Sequence, residues 1–577
     1  MRKLSNLKAL LLSYMLVACF VLPMKAQKSD GFFRNNNEDI YNDRGDGIGL
    51  GGATQENPTP VGSSLLILTI AGAGYAFVRR KSRKPYNSGA TLILAFTLLL
   101  GLTQCKKNEV APSVDNGVYI TLDAGYGNAK TGFTPSTGAF VWSNGVTEYI
   151  YVGGSEHEVC LGYLSGTGNS TGSMTFGGML SSPNDGETLH FFYLGKGRDG
   201  GTVSTLDFSS QDGTLENVTN YHIAVGDGSY TSGTVNYATT LEMKMAIAYF
   251  DVSGFENASN TAETVYLHGD EVYTTATVNY QTGTITGATK GYLNMGTATA
   301  GKYVALIPSV TTETTLKFDS NSKTGSMTFN RGIKAGKYYA NNNNALAVTA
   351  NAIPDGTAPG IFSVSETKKV RFSHGNLQYK DGVGWRFAEH QYNVAGSWTS
   401  DYVDLYGWGT WSGTSEQWHP LTIIANNSYY TWNGDEYFKA TLDGYNDWFT
   451  FSDTEWQYLL GHSTYGMAQV GNYNGIIILP DNLDLTINTD HNNWTNNTYT
   501  TDEWDNNLEP VGIVFLPAAG ARHESSVPYV NSHGMYWSST PNGATAAKHI
   551  WFSSNSMNSS YSYDRYDGRA VRLIRDL

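Results

Sequence analysis

Between Val118 and Ala124 every second residue is apolar: Val118, Ile120, Leu122 and Ala124 alternate with Tyr119, Thr121 and Asp123. A two-residue period of this kind predicts a strand with one buried face. Similar stretches follow at Thr147–Val152, Met174–Gly177, Leu189–Leu194, Leu241–Phe250, Thr264–His268, Val272–Tyr280 and Tyr303–Ile307. Gly/Asn/Asp clusters such as Gly226-Asp227-Gly228 separate them. Short strands punctuated by turns predict β-sandwiches. With 64 Gly and 15% charged residues, the chain is too poor in Glu and Lys for long helices or coiled coils. It also lacks the charge that drives disorder. A net charge of −14 gives no basic face for nucleic acid.

The basic residues gather at the start. Three apolar runs, Ala9–Pro23, Val61–Val78 and Ala90–Leu100, lie there, and Arg79, Arg80, Lys81, Arg83 and Lys84 follow the second. Residues 1–104 therefore read as an export leader. It comprises a signal-like segment (1–26), a membrane-length span (61–78) and a lipoprotein leader (85–104). The positive-inside rule puts everything after Cys105 outside the cytoplasm. Leu102-Thr103-Gln104-Cys105 resembles a bacterial lipoprotein box. That resemblance implies cleavage before Cys105, acylation of its thiol and a lipid anchor in the outer membrane. Leu16-Val17-Ala18-Cys19 fits the same pattern, but apolar residues continue beyond it. Pro-Thr-Pro, span and basic cluster at 58–84 resemble the sorting tail of a short surface protein, as if two reading frames were joined near Lys84. Three cysteines are too few for a disulfide scaffold, and Cys160 reads as a strand residue.

The body is mainly β. Phe140-Val-Trp142-Ser-Asn-Gly145, Leu189-His-Phe-Phe-Tyr193, Leu206-Asp-Phe-Ser-Ser-Gln-Asp-Gly213 and Gly332-Ile-Lys-Ala-Gly-Lys-Tyr-Tyr339 resemble stretches of fimbrillin-family surface lipoproteins. The resemblance implies two β-sandwich subdomains, at 110–252 and 253–350. It also implies assembly with other pilin subunits by donor-strand exchange, in which a neighbour's strand completes an open sheet edge. Fimbrillins are trimmed after Arg, but no Arg occurs between Cys105 and Arg198, so Lys130 is the nearest processing candidate. Thr171-Gly-Ser-Met-Thr-Phe176 recurs as Thr324–Phe329, either a duplicated unit or chance. Residues 341–360, with Asn341–Asn344 and two Pro-Gly-type turns, read as a flexible linker.

Residues 361–577 differ in kind. Twelve of the 13 Trp lie after residue 380, which predicts a core built on large rings. Ser452-Asp-Thr-Glu455 and Thr500-Thr-Asp-Glu503 are capping boxes that predict helices over Thr454–Leu460 and Asp502–Leu508. Val370-Arg-Phe-Ser-His-Gly-Asn-Leu-Gln-Tyr379, Asp404-Leu-Tyr-Gly-Trp-Gly409, Phe515-Leu-Pro-Ala-Ala-Gly520, Tyr536-Trp-Ser-Ser539 and Arg569-Ala-Val-Arg-Leu573 resemble the C-type-lectin-like domains of paralogous bacterial surface proteins. An α+β domain is implied.

The same resemblance reaches formylglycine-generating enzymes, calcium lectins and retroelement-diversified ligand binders. The domain has no cysteine, which excludes the first chemistry. Glu509-Pro510-Val511 and Asn446-Asp447-Trp448 depart from calcium–sugar ligand sets, and no His spacing suits a metal. In the third group the last strands carry variable contacts. Here Ser553–Asp567 is rich in Ser, Asn, Tyr and Asp, a composition suited to adaptable recognition. The expected ligand contacts are Trp551, Asn555, Ser556, Asn558, Ser559, Tyr561, Tyr563, Asp564 and Tyr566; a plain polar surface loop is the alternative. Asp401, Asp404, Asp443, Asp447 and Asp453 read as solvated turn residues, not as the paired acids of glycoside hydrolysis. His523, His533 and His549 read as hydrogen-bonded loop groups.

The expectation is thus a non-enzymatic, lipid-anchored surface protein, without cofactor, that displays an adhesion domain to a host or bacterial protein or glycan. Rival readings are a structural pilin or envelope spacer without ligand and, third, a glycan-degrading enzyme.

Overall fold

The alternating segments at the start of the body close into a barrel. In chain order its strands are β1 (Val118–Tyr126), β2 (Thr147–Gly154), β3 (His157–Thr167), β4 (Thr175–Leu180), β5 (Thr188–Leu194), β6 (Ile223–Ser229) and β7 (Asn236–Met243). Their spatial order is β1-β4-β3-β2-β5-β6-β7, and β7 returns to lie parallel to β1. The computed structural model describes residues 117–126, 142, 144–168, 174–196, 198, 203–395, 401–408, 440–442 and 445–577. All belong to one compact unit, Val110–Leu577. The leader, Cys105, Lys130 and Asp443 lie outside the described residues. Among those described, no helix is long and apolar enough to cross a membrane.

The alternation in β1 does what its period dictates. Ile120, Leu122 and Ala124 point inward and meet Trp142, Phe176, Phe191 and Leu241. Part of the outer surface is also covered: Tyr151, Phe192 and Val225 join a second core with Ile247, Phe250, Leu267 and Phe318. Barrel and following module approach so closely at Gly153 that an added Cβ would sit 2.1 Å from the Tyr280 carbonyl oxygen. Cys160, in β3, is half-buried beside this core, and burial pushes its thiol pKa up.

The second module is built on β8 (Ala246–Asp251), β9 (Thr264–His268), β10 (Thr314–Asp319) and β11 (Lys323–Phe329). β9, β10 and β11 are consecutive in a five-stranded sheet that ends on Asn351–Ala352. β8 pairs with Lys302–Leu306 in another sheet. The expected strand Leu241–Phe250 is therefore two strands. Leu241 faces the barrel core, whereas Met245 and Ile247 enter the shared core. Lys244 interrupts the apolar run, and its N–H donates to Ile223 O (2.8 Å) where the chain changes sheet. The second TGSMTF copy lies in β11; the first ends in β4, whose partners are different.

Residues 341–360 are not a flexible linker. Asn341 and Asn344 exchange two main-chain bonds of 2.8 Å, with Asn342 and Asn343 in the left-handed conformation that asparagine tolerates. Leu346–Ala347 then pairs with β8, Asn351–Ala352 pairs with β11, and Val348 and Ala358 are buried. The segment is a strap across the second module.

The C-terminal module starts and ends in one sheet. β12 (Lys369–Phe372) and β13 (Tyr445–Thr450) flank the last strand of the chain, at Leu573–Asp576. Helix α1 (Asp453–His462) opens on the expected capping box: Ser452 Oγ accepts from Glu455 N–H, and the Glu455 carboxylate accepts from Ser452 N–H. β14 (Tyr465–Val470), β15 (Tyr473–Ile478) and β16 (Val514–Pro517) form the next sheet. The second capping box also forms, but its helix is a single α-turn, Thr501–Glu503. A π-turn over Trp504–Leu508 and a 3-10 turn over Glu509–Val511 follow, and Trp504 is driven into a core with Ile477 and Phe515. Trp408, Trp448, Trp456, Trp504 and Trp537 are all fully buried, as the Trp density predicts.

Arg371 joins this module to the preceding one. Its Nη2 donates to Asp319 Oδ1 (3.1 Å) and its Nη1 to Asn321 O (2.6 Å). The other Asp319 oxygen meets His268 Nε2 at 2.8 Å. Burial alone would raise the Asp319 pKa, but His268 and Arg371 outweigh it and hold the group below its usual range.

Candidate functional site

Three antiparallel strands form a ribbon on the C-terminal module: β17 (His533–Asn542), β18 (Ala546–Ser553) and β19 (Ser556–Asp564). The stretch expected to carry ligand contacts is thus a strand with its turn, not a loop. Register assigns the faces. Tyr536, Ile550, Phe552 and Met557 point into the module's core. The opposite face carries the cross-strand rows Met535–Trp551–Asn558, Trp537–His549–Tyr561 and Ala547–Tyr563. Between Trp551 and His549 the partner strand has an extra residue, a β-bulge, and Asn558 Oδ1 accepts from Ser560 N–H (3.0 Å) there.

This second face has two ends. At one, Trp537 and His549 are buried, their rings edge to face at 5.4 Å, with Tyr561 at the same distance beyond His549. Trp537 Nε1 donates to Tyr406 O (2.8 Å). The guanidinium of buried Arg569 lies 4.7 Å from the Tyr563 ring, and His523 Nδ1 and Asp567 Oδ1 are 2.7 Å apart. Burial, reinforced by Arg569 and Lys548, drives the His549 pKa far down, so its ring is neutral. The other end is open. His533 and Trp551 lie 5.4 Å apart, Tyr529 stands against His533 at 4.8 Å, and Asn555 and Asn558 are exposed.

None of Trp551, Asn555, Ser556, Asn558, Ser559, Tyr561, Tyr563, Asp564 and Tyr566 is buried, and all lie on β18, β19 or the turns beside them. They do not share one face. Asp564 lies on the side of Lys548, and Tyr566 folds back to donate its hydroxyl to Asp564 Oδ2 (2.9 Å). Tyr529 and His533 were not among the expected contacts. The one signal for Tyr529 in the sequence is a large ring inside the turn-rich run Pro528-Tyr-Val-Asn-Ser532.

The acidic residues are dispersed. Asp401 pairs with Lys380 (2.9 Å), Asp447 with Arg575, and Asp453 Oδ2 accepts from Gln457 and Ser560. Asp404 is no solvated turn residue: it is buried, accepts from Ala395 N–H (3.0 Å), and burial pushes its pKa up to about 7. Among the described residues no group of three or more His, Cys, Asp or Glu is placed to hold a metal ion.

A family model described as a domain of unknown function, DUF8237, matches residues 485–574, which include the whole ribbon. No curated protein matches the chain. Solved structures similar to part of it include a candidate cell adhesion protein from Bacteroides ovatus (15% identity, 41% of this chain and 96% of the other, TM-score 0.26). Another is a candidate cell adhesion protein from Bacteroides uniformis (13% identity, 41% and 98%, TM-score 0.26). A third is the tip fimbrial protein Mfa3 from Porphyromonas gingivalis (8% identity, 35% and 78%, TM-score 0.21). At these TM-scores the likeness assigns neither fold nor function.

Proposed function

We propose that the chain is a non-enzymatic surface protein of the fimbrillin-like adhesin kind, in which two β modules carry a C-type-lectin-like domain and its terminal ribbon meets a ligand. The observation that carries this reading is the division of labour in the ribbon. One face is packed into the core through Tyr536, Ile550, Phe552 and Met557, while every expected contact residue keeps solvent access. Such a strand can change its outer side chains without disturbing its packing, and Tyr, Ser and Asn are suited to recognition. The test is adhesion of beads coated with the full chain to surfaces bearing host glycoproteins or bacterial cells. Asn555→Ala with Asn558→Ala and Tyr561→Ser should abolish it and leave the melting temperature within a few degrees. A spacer without ligand would leave every surface bare, and a glycan-degrading enzyme would release reducing sugar.

The barrel supports the second part of the reading, assembly with other subunits. β1 is the first described strand and is bonded to β4 on one side and β7 on the other. Its removal would open two sheet edges that a neighbour's strand could fill by main-chain hydrogen bonds. Cleavage after Lys130 and acylation of Cys105 belong to the same reading. Intact mass and fatty-acid labelling of cells, with Cys105→Ala as control, would test both; a mature chain starting at Gln27 would overturn the anchor.

A further inference from the structure

The open end of the ribbon is electrically bare. Residues 525–563 contain Lys548 as their one Asp, Glu, Lys or Arg, in a chain of 15% charged residues. Lys548 is on the other face, opposite Ser562, with its Nζ 3.2 Å from Ser560 Oγ. His533 adds no charge near neutrality, because burial lowers its pKa. What the surface offers is rings and amides: Tyr529, His533 and Trp551 in sequence, with Asn555 and Asn558 beside them.

Tyr529 is held there against its backbone preference. Its φ of 68° is the left-handed region, rarely occupied by a bulky side chain. The surrounding chain fixes it. The Tyr529 carbonyl accepts from Ser532 N–H (3.0 Å), His533 N–H (3.0 Å) and Ser532 Oγ (2.9 Å). Asn531, also left-handed, is tied to Asn472 O (2.9 Å) and to Asn474 N–H (2.6 Å). The outcome is an exposed phenol ring set at 70° to His533. The strained turn leaves the ring about half exposed, touching His533 edge-on, and strain of this kind clusters at functional sites.

We infer that Tyr529, His533 and Trp551, with Asn555 and Asn558, form a binding site for a neutral carbohydrate. A pyranose ring presents C–H groups on its face and hydroxyls at its rim. The first pack on aromatic rings, and the second pair with amides that both donate and accept. An anionic ligand would call for Arg or Lys; residues 525–563 supply only Lys548, on the other face, and Arg569 is buried at the far end against Tyr563. A protein partner would need roughly 800 Å² of contact per side, whereas the features that point to a ligand here are confined to five side chains. The inference rests on the ribbon being a ligand-binding surface and names the ligand class.

The test is a glycan array of neutral, sialylated and sulfated oligosaccharides probed with the full chain. Binding should be confined to neutral glycans and should survive about 0.5 M salt, because no ion pair is involved. Trp551→Ala should weaken it by roughly tenfold or more. Tyr529→Gly should do the same while keeping the fold, because glycine adopts the left-handed conformation freely. Salt-sensitive binding to sulfated glycans, full binding by Trp551→Ala, or a blank array would overturn the inference. A blank array with adhesion still lost in the Asn555/Asn558/Tyr561 variant leaves the ribbon reading standing and removes only the carbohydrate. A blank array with adhesion unchanged removes both.

Discussion

The barrel and the ribbon solve the same problem, fixing an outer strand, by opposite means. In the barrel every strand has two neighbours, and the interior is filled by Ile120, Leu122, Phe176 and Phe191. Main-chain closure and apolar burial suffice. Among the described residues, β19 pairs only with β18. The last stretch of the chain carries four buried arginines, Arg565, Arg569, Arg572 and Arg575; Arg565 donates to Ala546 O of β18 (2.9 Å) and Arg569 lies against Tyr563 of β19. Three of the guanidiniums lie on rings: Arg565 is 4.5 Å from Trp408, Arg569 4.7 Å from Tyr563, and Arg575 4.4 Å from Tyr445. A planar, permanently charged fork sets direction as well as contact. A one-sided strand needs that directional support; a closed barrel does not.

The largest expected effect breaks the link between the C-terminal module and the module that follows the barrel. Arg371→Ala strips Asp319 of one partner and leaves the carboxylate buried, a change that typically costs about 3–5 kcal/mol. In calorimetry the C-terminal module should melt separately and earlier than the barrel. An unchanged single transition would show that the modules are held together elsewhere. Next comes Arg569→Lys, which keeps the charge and loses the fork. A loss of about 2 kcal/mol confined to the C-terminal transition is expected, from hydrogen bonds to a charged group and the ring contact. No loss would mean that the arginines are not what steadies the ribbon.

The elements legible in the sequence were those encoded locally. The alternation from Val118 to Ala124 gave β1, and Ser452 with Glu455 gave the start of α1. What pairs with what was not legible. Parallel closure of β1 on β7 joins residues more than a hundred positions apart, and nothing in either strand announces it. Asn and Gly between 341 and 360 looked like a linker, because polar turn residues read alike whether the next strand docks or not. Asp404 looks solvated because Asp-Leu-Tyr-Gly is turn-like; its partner is distant, since Asn376 hydrogen-bonds it and also donates to the Tyr536 hydroxyl (3.3 Å). The ribbon's composition was legible, but not its bulge, the split of its faces, or Tyr529, whose role depends on backbone conformation.

The buried acids sharpen the comparison, since each region holds one that burial raises to about 7. Glu148 in the barrel accepts from Tyr193 OH at 3.2 Å, and burial raises its pKa to about 7. Asp404 in the C-terminal module is raised to a similar value. The folded pKa lies above the unfolded one in both, so the folded state holds protons that the unfolded state has released. Stability therefore falls as pH rises from about 4 to 7, and the penalty is complete above that. Glu148→Gln should recover about 1–2 kcal/mol at pH 8 and nothing at pH 4. Asp404→Asn should do the same for the C-terminal transition. Urea unfolding at the two pH values decides it. Equal effects would mean that the regions share one titrating response; a response restricted to Glu148 would mean that the hydrogen-bonded turn around Asp404 tolerates the charge.

The smallest effect concerns the caps. Ser452 closes both halves of a capping box on a ten-residue helix, and the next residue, Asp453, accepts from Ser560 Oγ of β19 at 3.0 Å. Thr214 caps only the four-residue helix Leu215–Val218, through Asn217 N–H. Loss of a cap oxygen costs about 0.5–2 kcal/mol, most where a long helix depends on it. Ser452→Ala should therefore cost about 1 kcal/mol and Thr214→Ala about half that. Ser452 supports the ribbon from the side of Ser560, away from Trp551. Ser452→Ala should thus lower the melting temperature and leave ligand affinity unchanged, whereas Trp551→Ala should do the reverse. A cap variant that lost affinity in proportion to stability would show that the two faces of the ribbon are coupled through the bulge at Ser559 and Ser560.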